Sequence, residues 1–173
     1  WGVRRIAVSD GFNPAVNEFV VEVAASHYHG TCYHALAKAS QVAAFSAVLL
    51  ADLARHGDNA KAFSVFGTHD SEGRTVMMQA VLSGCSGVVR IMLALGVSAG
   101  ETSLDGDFVN YLPIHGAVIE GDDSFQVLIE TSSARPETLY GVHDIASLAA
   151  MSGRAAILPK CISKMKELRP GWN

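Results

Sequence analysis

Charged side chains are scarce in this sequence of 173 residues. Asp, Glu, Lys and Arg make up 17% of it, whereas soluble domains usually contain about 25%. The formal net charge of −4 provides no basic excess, and nucleic-acid binders normally have a basic face, so we expect no nucleic-acid partner. Hydrophobic residues make up 49%, and the mean hydropathy is +0.24. We therefore expect a surface less polar than that of a free-living monomer.

Long apolar runs and paired cysteines are also missing. The longest apolar stretch, 42–51, is shorter than the roughly 18 residues that a membrane span needs, so we expect no span. Cys32, Cys85 and Cys161 are odd in number and far apart, which is a poor disulfide framework. A reducing intracellular compartment, cytoplasmic or organellar, is therefore expected. The start at Trp1 is compatible with a removed targeting peptide.

The sequence does contain a repeated pattern of two short apolar helices joined by a glycine. It is clearest in GRTVMMQAVLSGCSGVVRIMLALGVS, residues 73–98. Thr75 is placed to cap the first helix, because its hydroxyl can accept from exposed backbone N–H groups. Gly84 is placed to end that helix and Gly96 to end the second, since glycine tolerates a left-handed backbone.

Three other stretches repeat this pattern. One begins at Leu112 with LPIHGAVIEGDDSFQVLIE, and a weaker one begins at Asp144 with DIASLAAMSGRAAILPKCI. A possible earlier copy begins at Thr31 with TCYHALAKASQVAAFSAVLL. Self-similarity at about thirty to forty residues is typical of stacked-repeat proteins, which usually bind rather than catalyse.

Together these features resemble the ankyrin repeat. Its pattern has a Gly-x-Thr-Pro-Leu-His start, paired alanines, a glycine between two antiparallel helices, a Val-x-x-Leu-Leu second helix and a closing glycine. The residues at matching positions are Thr31, His34, Ala37 and Val48; Gly73, Thr75, Ala80, Gly84, Val89, Met92, Leu93 and Gly96; Pro113, Ile114, His115, Ala117, Gly121, Phe125, Leu128 and Ile129; and Ala149, Ala150, Gly153, Ile157, Cys161 and Ile162. Val76, Met77 and Met78 replace Pro-Leu-His in the second copy, and the last copy loses that segment.

The resemblance implies an all-α fold, an ankyrin-like helical solenoid of about four helix-turn-helix repeats with long hairpin loops. The repeats would lie at approximately 29–58, 70–99, 108–135 and 140–168, within a repeat domain spanning 29–169. Residues 1–28 lack the motif and would cap the stack, because an end unit needs its own outer covering. An unrelated helical bundle is the alternative.

Proteins with such stacks usually bind partners at their loop tips and on the exposed, concave side of their first helices. The resemblance places on that side the residues Gln79, Leu82, Ser83, Ile119, Glu120, Leu148 and Met151. It places at the tips the residues Lys61, Asp70, Arg74, Glu101, Asp105, Asp107 and Asn110. Four of the first-helix residues are apolar, namely Leu82, Ile119, Leu148 and Met151, and an exposed apolar row indicates an interaction surface. The alternative is that a shifted register buries them in the core.

A nucleophile-elbow pattern, Gly-x-Ser-x-Gly, occurs at 96–100. Asp105 and His115 follow Ser98 in the order of a hydrolase triad. The elbow requires a strand before the serine and a helix after it, but here a helix is predicted before Ser98 and a loop after it. We therefore expect the closing loop of a repeat and no catalysis.

The run HYHGTCYH concentrates side chains that bind zinc well, His27, His29, Cys32 and His34. No second ligand cluster follows at a finger-like distance. His34 occupies the position of the ankyrin histidine, which the resemblance implies is bonded to the backbone of a neighbouring turn. Structural histidines and no bound metal are expected, with a metal-binding module as the alternative.

The remaining reactive or charged groups have structural interpretations. Cys85 follows the inter-helix glycine and Cys161 lies in the apolar face of the last helix, so both are expected to be small structural residues without a catalytic role. The basic residues that crowd the last helix are Lys160, Lys164, Lys166 and Arg169. They are expected to form a solvated face that complements the helix C-terminus, with contact to an acidic partner or a phosphate as the alternative. No cofactor or small-molecule substrate is expected, because no glycine-rich loop follows a strand pattern.

These observations predict a non-catalytic protein–protein interaction module, most simply a structural or accessory subunit of a larger assembly whose partners are other protein subunits. Low charge and apolar concave positions favour a permanent subunit, because obligate interfaces are larger and more hydrophobic. A free ankyrin-type adaptor or regulator is the alternative. A hydrolase or metal-binding module is the alternative from another functional class.

Overall fold

The structure, a computed structural model, describes residues 30–56, 64–102, 111–121 and 123–171. Within these ranges the chain is helical and has no β-strand, which confirms the all-α prediction. The eight α-helices found there are α1 Cys32–Lys38, α2 Val42–His56, α3 Val76–Leu82, α4 Ser86–Ala94, α5 Pro113–Glu120, α6 Asp123–Leu128, α7 Ile145–Met151 and α8 Leu158–Leu168. Short 3-10 turns lie at Val65–Gly67 and Ser132–Ala134. The proposed capping segment, 1–28, lies outside the described residues.

Consecutive helices pack together as pairs, and the pairs contact one another in chain order. Helix α1 contacts α2, α3 contacts α4, α5 contacts α6, and α7 contacts α8. The first helices of successive pairs also touch, α1 with α3, α3 with α5, and α5 with α7. Among the second helices, α4 contacts both α2 and α6. Each first helix therefore lies beside the first helix of the next pair.

The four first helices begin in the same way. Their N-cap residues, Thr31, Thr75, Leu112 and Asp144, all have extended backbones, with φ between −95° and −77° and ψ between 158° and 172°. The prediction that Thr75 caps its helix is confirmed, since its Oγ1 accepts from Met78 N at 3.3 Å. Asp144 Oδ1 likewise accepts from the Ser147 N–H at 2.7 Å. Polar side chains thus satisfy N–H groups that a helix start leaves without a partner.

The first helices also end alike, in a residue with a left-handed backbone. The φ angles are 55° at Ser40, 65° at Gly84, 68° at Gly121 and 67° at Gly153. Gly96, which follows α4, has φ of 80°. The predictions that Gly84 and Gly96 end their helices are confirmed. Ser40 is the one of these four residues that is not glycine. A residue with a side chain is strained at a positive φ, whereas glycine is not.

The core runs continuously through the pairs. In α3 Met77, Ala80 and Val81 fall at helical spacing and form an apolar stripe that is buried. At one end, the ring of Tyr33 meets those of Phe45 and Phe66 edge to face, with centroids 5.2 and 5.1 Å away, a favourable arrangement for aromatic pairs. Across the described part of the chain, no helix combines the length and the apolar character needed to cross a membrane.

Candidate functional site

One row of side chains crosses the first helices. Lys38, Leu82, Ile119 and Met151 each lie seven residues after the N-cap of their helix. Because the four helices contact one another in order, equivalent positions are neighbours. Lys38 is exposed, Leu82 and Ile119 are half-buried, and Met151 is 68% exposed. The prediction places four apolar side chains on this surface, and three of them, Leu82, Ile119 and Met151, are at least partly accessible.

Leu148 is the position at which that prediction is wrong. Its side chain is only 5% exposed and belongs to the core. It lies one turn before Met151 on the same side of α7, but unlike Met151 it is packed into the core cluster. Of the polar residues assigned to the same side, Glu120 is exposed and Ser83 is half-buried.

Gln79 and Asp70 were also expected at the surface, and both are buried. Gln79 is 1% exposed and Asp70 is 7% exposed. Gln79 Nε2 donates to Asp70 Oδ2 at 2.7 Å, while Asp70 Oδ1 accepts from the N–H groups of Glu72 and Arg74 at 2.8 and 3.0 Å. This pair shapes the turn before α3 and is not available for contact with a partner.

Two tyrosines enlarge the accessible surface around the row. The rings of Tyr111 and Tyr140 lie 5.0 Å apart, and both side chains are half-buried. Tyr111 crosses α5 at Gly116, where a Cβ atom would lie 3.3 Å from the tyrosine hydroxyl and 3.5 Å from Leu82 Cδ2. Gly116 therefore provides the space in which Tyr111 lies next to Leu82.

We call this surface the first-helix face. Its members are Leu82, Ser83, Tyr111, Ile119, Glu120, Tyr140 and Met151. The resemblance to ankyrin repeats did not identify the tyrosines, because its motif does not specify the residues just before the N-cap. The sequence nevertheless contained a signal for Tyr111. It immediately precedes the N-cap residue Leu112, just as Arg74 precedes the N-cap residue Thr75, and Arg74 was an expected contact residue.

The phenol of Tyr111 is hard to ionise. Burial above all, together with the nearby Tyr140 and Glu120, raises the pKa of Tyr111 to about 12, while Arg74 opposes the shift. The phenol is therefore neutral at physiological pH and acts as a hydrogen-bonding group within an apolar surface. Tyrosine is enriched at protein interfaces because it joins a large apolar ring to a polar hydroxyl group.

The loop tips next to this face differ in character. In the tip before α3, Glu72 forms ion pairs with Lys38, at 3.3 Å, and with Arg74. The tip before α7 is a tight turn in which Tyr140 and His143 exchange backbone hydrogen bonds. Val142 at that tip is 83% exposed, a contact candidate that the sequence analysis missed.

The remaining tip residues fall into two groups. Glu101 is exposed beside a shallow cleft lined by Phe66, Gly67 and residues 96–98. The other four, Lys61, Asp105, Asp107 and Asn110, lie outside the described residues. The assignment of these four residues as partner contacts therefore stays a prediction.

His34 bonds to backbone, as the resemblance implied. Its Nδ1 accepts from the Thr31 N–H at 3.2 Å, which places the ring proton on Nε2. The Nε2–H group then donates to the carbonyls of Thr68 and Arg74, each at 3.1 Å. Burial lowers the pKa of His34, and the nearby Asp70 carboxylate only partly opposes this. A neutral imidazole thus ties the start of α1 to the turn before α3.

His115 repeats this arrangement in the third pair. Its Nδ1 accepts from the Leu112 N–H at 3.1 Å, and its Nε2 lies 2.9 Å from the Thr138 carbonyl oxygen. Both ring nitrogens are therefore committed to backbone groups. His115 is also fully buried, so the imidazole is not arranged as a base for Ser98.

Ser98 lies in a loop after α4, as predicted, and not after a strand. Its exposed hydroxyl accepts from the Gly100 N–H at 3.1 Å. This is a local turn contact of the kind serine commonly makes. Asp105, the third member of the triad pattern, lies outside the described residues.

Cys32, Cys85 and Cys161 are free thiols, and burial makes two of them, Cys32 and Cys161, harder to ionise. Burial raises the pKa of Cys32, and it raises the pKa of Cys161 to about 11. Since the thiolate is the reactive and metal-binding form, these environments disfavour both roles. Within the part of the chain that the structure describes, no three His, Cys, Asp or Glu side chains are grouped so as to hold a metal ion. His27 and His29 lie outside it.

Comparison with known proteins adds no family assignment. A scan against protein-family models and a search of curated proteins both found no match to this chain.

Proposed function

We propose that this chain is a divergent ankyrin-like helical solenoid that acts through protein–protein contact, as a non-catalytic subunit of a larger assembly. The solenoid is supported by the recurring architecture of the pairs. All four first helices have similar N-cap backbones and a left-handed residue at their ends. His34 and His115 make equivalent bonds to the connection that follows their own pair.

The observation that carries the functional proposal is the accessible row on the first helices. Met151 is 68% exposed, and Leu82 and Ile119 continue the row at equivalent positions. Tyr111 and Tyr140 lie beside it and add aromatic surface with polar ends. A surface of this composition loses unfavourable apolar hydration when a partner covers it.

A matched pair of substitutions tests this assignment. Met151→Lys places a charge on the first-helix face, and Leu50→Lys places one on α2, where Leu50 is 65% exposed. Neither change empties the core, so both variants should fold. Tagged full-length chains would be expressed in the cells where the protein is native, captured, and compared by quantitative mass spectrometry.

We expect the wild type and L50K to recover the same partner proteins, and M151K to recover them about ten-fold less well, because a charge in a buried contact is not solvated. Equal recovery by M151K and L50K would contradict the assignment of the face. Light scattering behind a sizing column distinguishes a permanent subunit from a free adaptor. A chain that is monodisperse by itself indicates a free adaptor, and a chain that is soluble only together with its partners indicates a permanent subunit.

A further inference from the structure

Positive charge is concentrated at one end of this acidic chain. Residues 154–173 contain five of the 13 Lys and Arg but only one of the 17 Asp and Glu. That segment therefore carries a formal charge of +4, and residues 1–153 carry −8. The basic residues on and just after α8 are Lys160, Lys164, Lys166 and Arg169, which we call the basic helix.

The basic helix is not neutralised by the rest of the described structure. Lys164 pairs with Glu167 of the same helix at 3.2 Å. Lys160 donates to the neutral amide oxygen of Gln126, and Arg169 to the backbone carbonyl of Glu137. Among the described residues, no Asp or Glu from another element lies within ion-pair distance of any of the four. Lys160, Lys166 and Arg169 are exposed.

Helix electrostatics explain only part of this arrangement. Lys166 and Arg169 lie at the C-terminal end of α8, where positive charge is favourable. Lys160 is in the first turn, where positive charge is unfavourable, and it lies one turn from Lys164, so the like charges repel. The pair Lys160–Lys164 therefore costs the isolated helix stability, which an external anion would offset.

We infer that the basic helix docks on a compact acidic patch of a partner protein. A local acidic patch fits better than a long polyanion, because residues 1–153 carry a formal charge of −8. An extended nucleic acid or an anionic membrane would also meet that negative charge and be repelled by it. This inference rests on the proposed function, since it names the chemistry of a second contact with a protein partner.

The test uses the full chain and a fluorescein-labelled polyglutamate peptide, with binding measured by fluorescence anisotropy. The variant K160Q/K164Q removes the two adjacent charges, and R90Q/R135Q removes two exposed charges from α4 and from the residue after the 3-10 turn Ser132–Ala134. We expect K160Q/K164Q to weaken peptide binding about five-fold and R90Q/R135Q to leave it within about two-fold, because each exposed pair contributes a modest free energy. Raising the salt to about 0.3 M should also weaken binding.

Equal weakening by both double variants, or no peptide binding by the wild type, would overturn the inference. So would binding of duplex DNA or phosphatidylserine vesicles at least as tight as that of the peptide, with the same loss in K160Q/K164Q. Met151 takes no part in this measurement. If the peptide experiment fails but M151K still reduces partner recovery, only the inferred acidic-patch contact is wrong. If M151K does not reduce partner recovery, the proposed first-helix face is wrong.

Discussion

Gln79 Nε2 and Asp70 Oδ2 form a 2.7 Å hydrogen bond between two buried side chains. Asp70 belongs to the turn that leads into α3, and Gln79 to α3 itself. The bond therefore fixes the turn on the helix that it precedes. Because Asp70 also accepts two backbone N–H groups of its own turn, its buried carboxylate is well satisfied.

Removing the amide should be costly. We expect Gln79→Ala to lower the free energy of unfolding by about 2 kcal/mol, since a buried carboxylate loses a donor that water cannot replace. Gln126→Ala, at an exposed position on α6, should change it by less than about 0.5 kcal/mol. Urea unfolding followed by circular dichroism measures both. Similar costs for the two variants would mean that the Asp70 bond contributes little.

Gly153, the glycine that follows α7, should be required for its backbone and not for space. Gly153 has φ of 67°, Gly67 does not have a positive φ, and a Cβ at either position would meet no atom within 4 Å. Gly153→Ala should therefore cost about 1 kcal/mol through left-handed strain alone. Gly67→Ala should be neutral or stabilising by about 0.5 kcal/mol. Thermal denaturation compares the two, and equal effects would contradict this explanation.

His34 should make stability fall in mild acid. Its folded pKa lies below the unfolded value of about 6.5, so the unfolded state binds the proton more readily. The neutral form stabilises the fold above that value, and this contribution declines as the pH drops below it. We expect the melting temperature to fall between about pH 7.5 and 5.5.

The variant His34→Gln should reduce that fall, and His143→Gln, in the turn before α7, should not. Differential scanning fluorimetry across the pH range measures all three chains. A pH dependence in His34→Gln identical to that of the wild type would assign the titration to another group.

Much of the fold could be predicted from local sequence chemistry. The glycines at 84 and 96, the cap at Thr75 and the apolar stripe of α3 follow from short-range rules, because a helix start or stop depends on a few adjacent residues. The histidine bonds were accessible only through the resemblance, since His34 reaches Thr68 and Arg74, which are distant in sequence.

The surface was predicted less well because burial depends on what packs nearby. Gln79 is polar and was placed outside, but a turn nine residues earlier presents Asp70 to it and brings both inside. Leu148 shares a side of α7 with the exposed Met151, so its burial depends on the neighbouring helices and not on the local pattern. Val142 has an apolar side chain that composition would place inside, whereas its position at a turn tip leaves it exposed.

The central claim, a protein-binding face on the first helices, is tested most directly by site-specific photo-crosslinking. Benzoylphenylalanine would replace Met151 in one full-length chain and Leu50 in another, two sites of nearly equal exposure on different faces. After irradiation in the native cells, the first-helix face predicts discrete crosslinked protein products from position 151 and none from position 50. The same products from both positions, or none from position 151, would contradict it.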